Sequence, residues 1–358
     1  MAALLGYPGT RDAIEATLAG TSLKRTLLYL TNRFLLREQA GRRAPEYMIH
    51  AIVQSFYYDL LSRRERQEMH RRAGEYYEHE ERDLLRAALH YQRAGDAARS
   101  AELATGDIWG AINQGQVRPL QSLLAALDPV QLEAALRINL QLARGEILAF
   151  LGDSQAAQAA YTKAVDGLKL LSPSPEAAKV EARISLGMGT LLANQTPEAA
   201  LDWIERGLAA TDAQSPTLTA ALLNRKGTLL VGQADYPAAI AALEQALALL
   251  PATPSQLRAN VLINLGTACA WGGDGARGQQ YTAQALAVST ALHDTFGVLG
   301  IVSNMGIDKE ISGDWAGAGA DYQAALALAE QVGSLTEQAR HSSPVAGAMM
   351  HAPELSTS

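Results

Sequence analysis

Cysteine is almost missing from this chain: Cys269 is the only one in 358 residues. No internal disulfide can form, which fits a reducing compartment and makes the cytoplasm the expected location. Aromatic residues are few as well, at 6%, whereas apolar residues as a whole reach 48%. Much of that apolar content lies in runs of strong helix formers such as 238–250, and strand signals are sparse. No apolar run reaches the roughly 18 residues needed to cross a bilayer, and the chain does not open on a basic, apolar signal peptide, so no membrane partner is expected.

Motifs for chemistry are also lacking. A phosphate-binding loop needs glycines, a lysine and a Ser/Thr in fixed order, because backbone N–H groups cradle the phosphates and the lysine supplies charge. The stretch from Gly227 to Gly232 has the glycine spacing but continues with Gln233 where lysine belongs. Gly273, Gly275 and Gly278 match a dinucleotide fingerprint by letters, yet no strand precedes them. His70, His79, His90 and His293 form no Cys/His or His-Glu-x-x-His cluster, so no metal site and no cofactor are expected. No Gly-x-Ser-x-Gly elbow marks a nucleophile, and the chain reads as non-enzymatic.

What the sequence does contain is a period. Gly145, Gly187, Gly227, Gly266 and Gly306 recur about every 40 residues within paired apolar helical segments. Seven residues after each come Gly152, Asn194, Ala234, Gly273 and Gly313, and four of these precede an aspartate: Asp153, Asp235, Asp274 and Asp314. Small residues suit a tight turn, and the aspartate suits the cap of a second helix. Ala157, Ala199, Ala239, Gly278 and Ala318 follow at twelve residues. Tyr161, Trp203, Leu243, Thr282 and Tyr322 follow at sixteen, mostly bulky, to fill the wedge between helices. Ala164, Arg206, Ala246, Ala285 and Ala325 follow at nineteen. Stacked helical hairpins with a period of this length act by binding along an extended surface.

These positions resemble the tetratricopeptide repeat, whose signature places Gly, Gly, Ala, an aromatic and Ala at the same offsets. The usual unit is about 34 residues; the surplus here falls in connections such as Leu171–Pro175 and Leu250–Pro254. The longer unit is similar to the arrays of bacterial STAND-type signal-transduction ATPases and maltose-regulator-type activators. The resemblance implies an all-α, right-handed superhelical solenoid of tetratricopeptide-like hairpins. It divides the chain into a winged-helix-like module at 1–64, a helical linker with degenerate hairpins at 65–130, five repeats at 131–333 and a disordered or truncated tail at 334–358.

The N-terminal module is read from order. A helical stretch from Asp12 to Leu30 leads through a polar turn at Gln39–Pro45 into a short extended segment, Glu46–Ile49, and then a helix opening at His50. This order resembles the segment that follows the ATPase domain in STAND proteins. The resemblance implies that His50 contacts nucleotide phosphates when an ATPase domain is supplied, although the aspartate that often follows the family's histidine is replaced by Ala51. Arg63, Arg64, Arg66, Arg71 and Arg72 form a basic cluster, but Glu65, Glu68, Glu75 and Glu78 interleave with them and cancel the field, so nucleic acid is not an expected partner. The acidic run Glu78, Glu80, Glu81 and Asp83 reads as a solvated helix face.

Residues 1–106 hold 16 Lys+Arg against 14 Asp+Glu, while 107–358 hold 14 against 23. The repeats are therefore acidic. In the repeat family, ligand-facing residues come from the first helix of each unit, six and three before and one and four after the anchor glycine. Carried onto this chain they include Asn139, Leu142 and Glu146; Glu181, Ile184 and Met188; Ala221, Asn224 and Thr228; Asn260, Ile263 and Thr267; and Ser303, Ile307 and Glu310. None is lysine or arginine, so the groove reads as neutral to acidic. Its expected partner is a protein or peptide segment, basic in character if charged, or a small polar effector. An uncapped last repeat is expected to self-associate. The leading functional expectation is the sensor array of a STAND-like regulator, and the alternative is a stand-alone peptide-binding adaptor.

Overall fold

The computed structural model describes residues 9–18, 22–41, 44–113, 115–211 and 215–331. The expected tail at 334–358 lies outside the described residues. The chain divides into two compact units, 1–177 and 178–358. Eighteen α-helices and three short strands make up its elements among the described residues, so the fold is all-α apart from one small sheet.

Unit 1 begins with β1 (Gly9–Thr10), α1 (Arg11–Thr17), α2 (Lys24–Asn32), β2 (Leu36–Gln39), β3 (Glu46–Ile49) and α3 (Ala51–Asp59). The expected single helix from Asp12 to Leu30 is thus two. Thr10 caps α1 by accepting from the Ala13 amide at 3.2 Å, and Glu15 accepts from the Leu23 amide at 2.8 Å, so the second helix starts afresh. The strands are antiparallel in the order β1-β3-β2, with Leu36 opposite Ile49. Ile14, Leu23, Leu27, Leu36, Tyr77 and Tyr91 form the core beneath them. The expected strand Glu46–Ile49 is present, whereas its partner β2 was not expected: it lies beyond the helical stretch ending at Leu30 and runs onto the start of the polar turn at Gln39.

Unit 1 continues with α4 (Arg63–Tyr76), a π-helical turn at Tyr77–Glu81, α5 (Leu84–Ala94), α6 (Ala97–Gly106), α7 (Ile108–Asn113), α8 (Val117–Ala126), α9 (Ala134–Phe150) and α10 (Ser154–Leu168). The Ser62–Glu65 capping box opens α4. Arg71 and Arg72 pair with Glu68, and Arg71 also pairs with Glu75, so these basic side chains are spent within their own helix. One expectation fails here. Glu78 is not on a solvated face: its side chain is 8% exposed, pairs with Arg99 and accepts from the Tyr91 hydroxyl at 2.9 Å. The acid belongs to a buried joint between α4, α5 and α6.

The repeat hairpins are α9/α10 in unit 1 and, in unit 2, α11 (Pro175–Leu192) with α12 (Pro197–Ala210), α13 (Pro216–Gly232) with α14 (Tyr236–Leu249), α15 (Gln256–Trp271) with α16 (Gly275–Ala291), and α17 (Thr295–Ile311) with α18 (Trp315–Gln331). The turn chemistry follows the period. Gly152, Ala234, Gly273 and Gly313 all adopt positive φ. Asp153, Asp235, Asp274 and Asp314 each accept a backbone amide three residues on, at 3.0–3.2 Å, which caps the second helix. The anchor glycines are close-approach points. A Cβ at Gly145 would lie 2.5 Å from the Tyr161 ring, one at Gly306 2.7 Å from Tyr322, and one at Gly227 would strike Leu243. Cys269 is a fully buried core residue, as its alanine neighbours suggest.

The second hairpin departs from the expected register. Its turn spans 193–196, one residue longer than the others, and Gly189, not Gly187, meets the second helix at Ile204. With Gly189 aligned on Gly227, the buried residues Ala182, Ile184 and Ser185 match Ala220, Leu222 and Leu223. On the second helix Ala200, Ile204 and Gly207 are buried, in place of Ala199, Trp203 and Arg206.

Candidate binding surface

Within unit 2 the first helices α13 and α15 form one wall. Among the described residues α13 and α15 pack directly on each other, while the second helices α14 and α16 make no comparable contact. At this point of the stack the first helices therefore lie on the inner side. Asn264 Nδ2 on α15 donates to Asn224 Oδ1 on α13 at 2.9 Å and ties the two helices at the wall surface. Thr228 Oγ1 donates to the Arg225 carbonyl at 2.7 Å, and Thr267 Oγ1 to the Ile263 carbonyl at 3.2 Å. Asn260 is exposed and accepts from Gln256 Nε2 at 3.5 Å. Asn224, Thr228, Asn260 and Thr267 thus share the α13–α15 wall.

Other expected positions do not join this wall. Met188 is 5% exposed and Ile184 1%, because the register of the second hairpin is shifted by two residues; Arg183, Leu186 and Thr190 take the outward positions instead. Glu181 pairs with Arg206 of its own hairpin at 2.6 Å. Ser303 is also 5% exposed and donates to the Leu299 carbonyl at 2.7 Å. Glu310 is exposed, but accepts from the Tyr322 hydroxyl at 2.5 Å and so braces its own hairpin. In unit 1, Asn139 and Glu146 are half-buried on α9, and Asn139 Oδ1 is buried without a hydrogen-bond partner. His50 is exposed and caps α3, its Nδ1 accepting from the Ile52 amide at 3.4 Å.

Sequence reasoning passed over two residues next to the expected positions. Asn264 and Arg225 each lie two residues before their anchor glycine, outside the family's ligand-facing positions; Asn264 bonds Asn224 across the two helices, and Arg225 follows Asn224 in sequence. The available signal was composition: neither α13 nor α15 contains an aspartate or glutamate.

A second polar cluster lies inside unit 1. The Tyr58 hydroxyl bonds His70 Nε2 at 3.0 Å, His70 Nδ1 bonds His90 Nδ1 at 2.9 Å, and His90 stacks on Tyr77 with ring centroids 5.5 Å apart. One imidazole of the pair must donate and the other accept, which requires both to be neutral or one proton to be shared. Burial pushes His70 down to about 4 and His90 to about 3. The pair is enclosed and joins α4 to α5. Among the described residues no group of three or more His, Cys, Asp or Glu could hold a metal ion, and no helix is long and apolar enough to cross a membrane.

No protein-family model and no curated protein matches the sequence. Solved structures do resemble it. A STAND protein with a tetratricopeptide repeat sensor from Pyrococcus horikoshii aligns over 98% of this chain and 61% of its own, at 12% identity and TM-score 0.52. The APC/C hetero-tetramer Cut9–Hcn1 aligns over 83% of this chain and 51% of that one, at 15% identity and TM-score 0.56. A Rap protein complexed with Competence and Sporulation Factor aligns over 81% and 79%, at 15% identity and TM-score 0.54. The chain therefore spans about three fifths and one half of the first two relatives. At these identities the likeness is one of fold: the repeats form an all-α solenoid of tetratricopeptide-like helical hairpins.

Proposed function

We propose that this chain is a non-catalytic binding array that forms the ligand-sensing part of a STAND-like cytoplasmic regulator, taking up a protein or peptide segment, or a small polar effector, on the inner wall of its repeats. The observation that carries this reading is an uncovered apolar face on unit 1. No residue of α3 is buried; Ile52, Phe56 and Leu60, spaced to share one face, are 74%, 61% and 66% exposed, and Phe34 nearby in sequence is 94% exposed. An apolar face of this kind marks an interaction surface. It suits a neighbouring domain, and the Pyrococcus horikoshii relative, matched along nearly all of this chain, has length to spare. In this reading residues 1–64 are a winged-helix-like module, 65–130 a helical linker and 131–333 the array, and His50 at the start of α3 would contact the nucleotide of an adjoining ATPase domain.

The coding sequence directly upstream tests the proposal. An in-frame P-loop domain is expected, and a promoter in its place would overturn the regulator reading. The alternative, a stand-alone peptide-binding adaptor, is favoured by the Rap protein, which is matched over most of both chains and is complexed with Competence and Sporulation Factor. ATP hydrolysis by the purified chain would contradict both readings.

A further inference from the structure

Arg225 lies on α13 between Asn224 and Thr228, two residues before Gly227. Its side chain is largely withdrawn from water, and burial lowers its pKa with no charged neighbour acting on it in either direction. Among the described residues no carboxylate, carbonyl or hydroxyl bonds its guanidinium. Arg144 in unit 1 is withdrawn in a similar way, but it spends Nε and Nη2 on the Leu124 and Leu127 carbonyls. A guanidinium presents five donors and stays protonated, so holding one out of water with nothing to receive them is unfavourable unless a partner arrives.

The surroundings point to the sign of that partner. The chain carries a net charge of −7, yet α13 and α15 bear no acidic side chain at all. Their other cations are already engaged: Lys226 pairs with Glu205 at 2.5 Å, and Arg258 donates to the Pro251 carbonyl at 3.3 Å. Arg225 is the cation left over. Next to it in sequence, Asn224 spends its oxygen on Asn264 and, among the described residues, none of its Nδ2 donors.

We propose that Arg225, with the Asn224–Asn264 amide pair beside it, receives a side-chain carboxylate from an acidic protein segment lying across α13 and α15. A carboxylate can accept two parallel bonds from a guanidinium, with a third from Asn224 Nδ2. The amides also suit the backbone of an extended segment, since they donate and accept. A nucleic acid fits less well, because it rewards a row of cations along its phosphates, and α13 and α15 leave only Arg225 unengaged. The inference rests on the reading of the repeats as a binding array.

The test uses the full chain and an array of random decapeptides with amidated C-termini, so that every carboxylate is a side chain. Selected binders should be enriched in Asp and Glu. Arg225→Ala should weaken them at least tenfold. Replacing the key acid by Gln or Asn should cost the same, and the two changes together should cost little more than either alone. Melting of Arg225→Ala should stay level or rise, because an unpartnered cation has been removed. Binders with no acidic preference, or full affinity for Arg225→Ala, would overturn the carboxylate receptor while leaving the binding array intact. A lowered melting temperature would show that Arg225 has a structural partner, and tighter binding of a 20-nucleotide single-stranded DNA than of any peptide would assign the wall to a polyanion. Failure of the chain to select any peptide would instead count against the array reading itself.

Discussion

Two glycines on the same helix should respond to alanine with opposite signs. At Gly227 an added Cβ meets three carbons of Leu243, all within 3.0 Å, and Leu243 is fully buried, so it has no room to retreat. Overpacking of a tight core costs about 1–3 kcal/mol, against which alanine regains up to about 1 kcal/mol of helix propensity. Gly227→Ala should therefore destabilise the chain by about 1–2 kcal/mol. At Gly232, the last residue of α13, nothing lies within 4 Å of the new Cβ. Only the propensity gain remains there, and Gly232→Ala should stabilise by about 0.5 kcal/mol, reduced because the position is terminal. Urea unfolding followed by circular dichroism at 222 nm compares the midpoints. A double change adds a check. Leu243→Ala alone opens a cavity costing about 2–5 kcal/mol, but combined with Gly227→Ala it should cost less than the sum by about 1 kcal/mol or more, because the new methyl occupies part of the space. A Gly227→Ala midpoint equal to or above that of Gly232→Ala would refute the close-approach argument.

Three further outcomes follow from the turns and the buried imidazoles. Ala234 holds φ +59 where three sister hairpins have glycine, so Ala234→Gly should raise stability by about 1 kcal/mol and Gly273→Ala lower it by about 1–2 kcal/mol, read as midpoint shifts of opposite sign. Asp235→Ala removes a helix cap and should cost about 1 kcal/mol, with Asn largely restoring it. His70 and His90 have folded pKa values near 4 and 3, below the ordinary 6.5, so the unfolded chain binds more protons across that interval. Their contribution is complete above about pH 6.5 and is lost as pH falls from there towards about 4. Stability measured at pH 7, 6 and 5 should fall in that order, and His70→Phe should flatten the fall; an unchanged slope would show that the pair is not what titrates.

The hairpins were legible because their determinants are local and repeated. A small residue seven past an anchor glycine, followed by an aspartate, reports a turn and a cap without any knowledge of the rest of the chain. The second hairpin was not legible, because α11 carries both Gly187 and Gly189, and an added residue in its turn makes the wrong one fit the period. That ambiguity moved Glu181 and Met188 onto the wall on paper, while packing puts Met188 inside. Glu78 was misread for a different reason: its partners Tyr91 and Arg99 arrive from later helices, and a local acidic run looks solvated until they do. Arg225 sits 100° around the helix from Asn224, close enough that both belong to one broad wall, yet a rule confined to alternate rows leaves it out. The strand Glu46–Ile49 was visible from its flanking turn, whereas β2, lying beyond the helical stretch ending at Leu30 and running onto the start of that turn, was not expected.

The account stands most directly on where a ligand touches the chain. A decapeptide selected by the full-length protein and carrying a photoreactive benzophenone can be cross-linked and its attachment sites found by mass spectrometry. Cross-links on α13 and α15, around Asn224, Arg225 and Asn264, are the predicted result. Cross-links confined to the second helices α14 and α16 would contradict it.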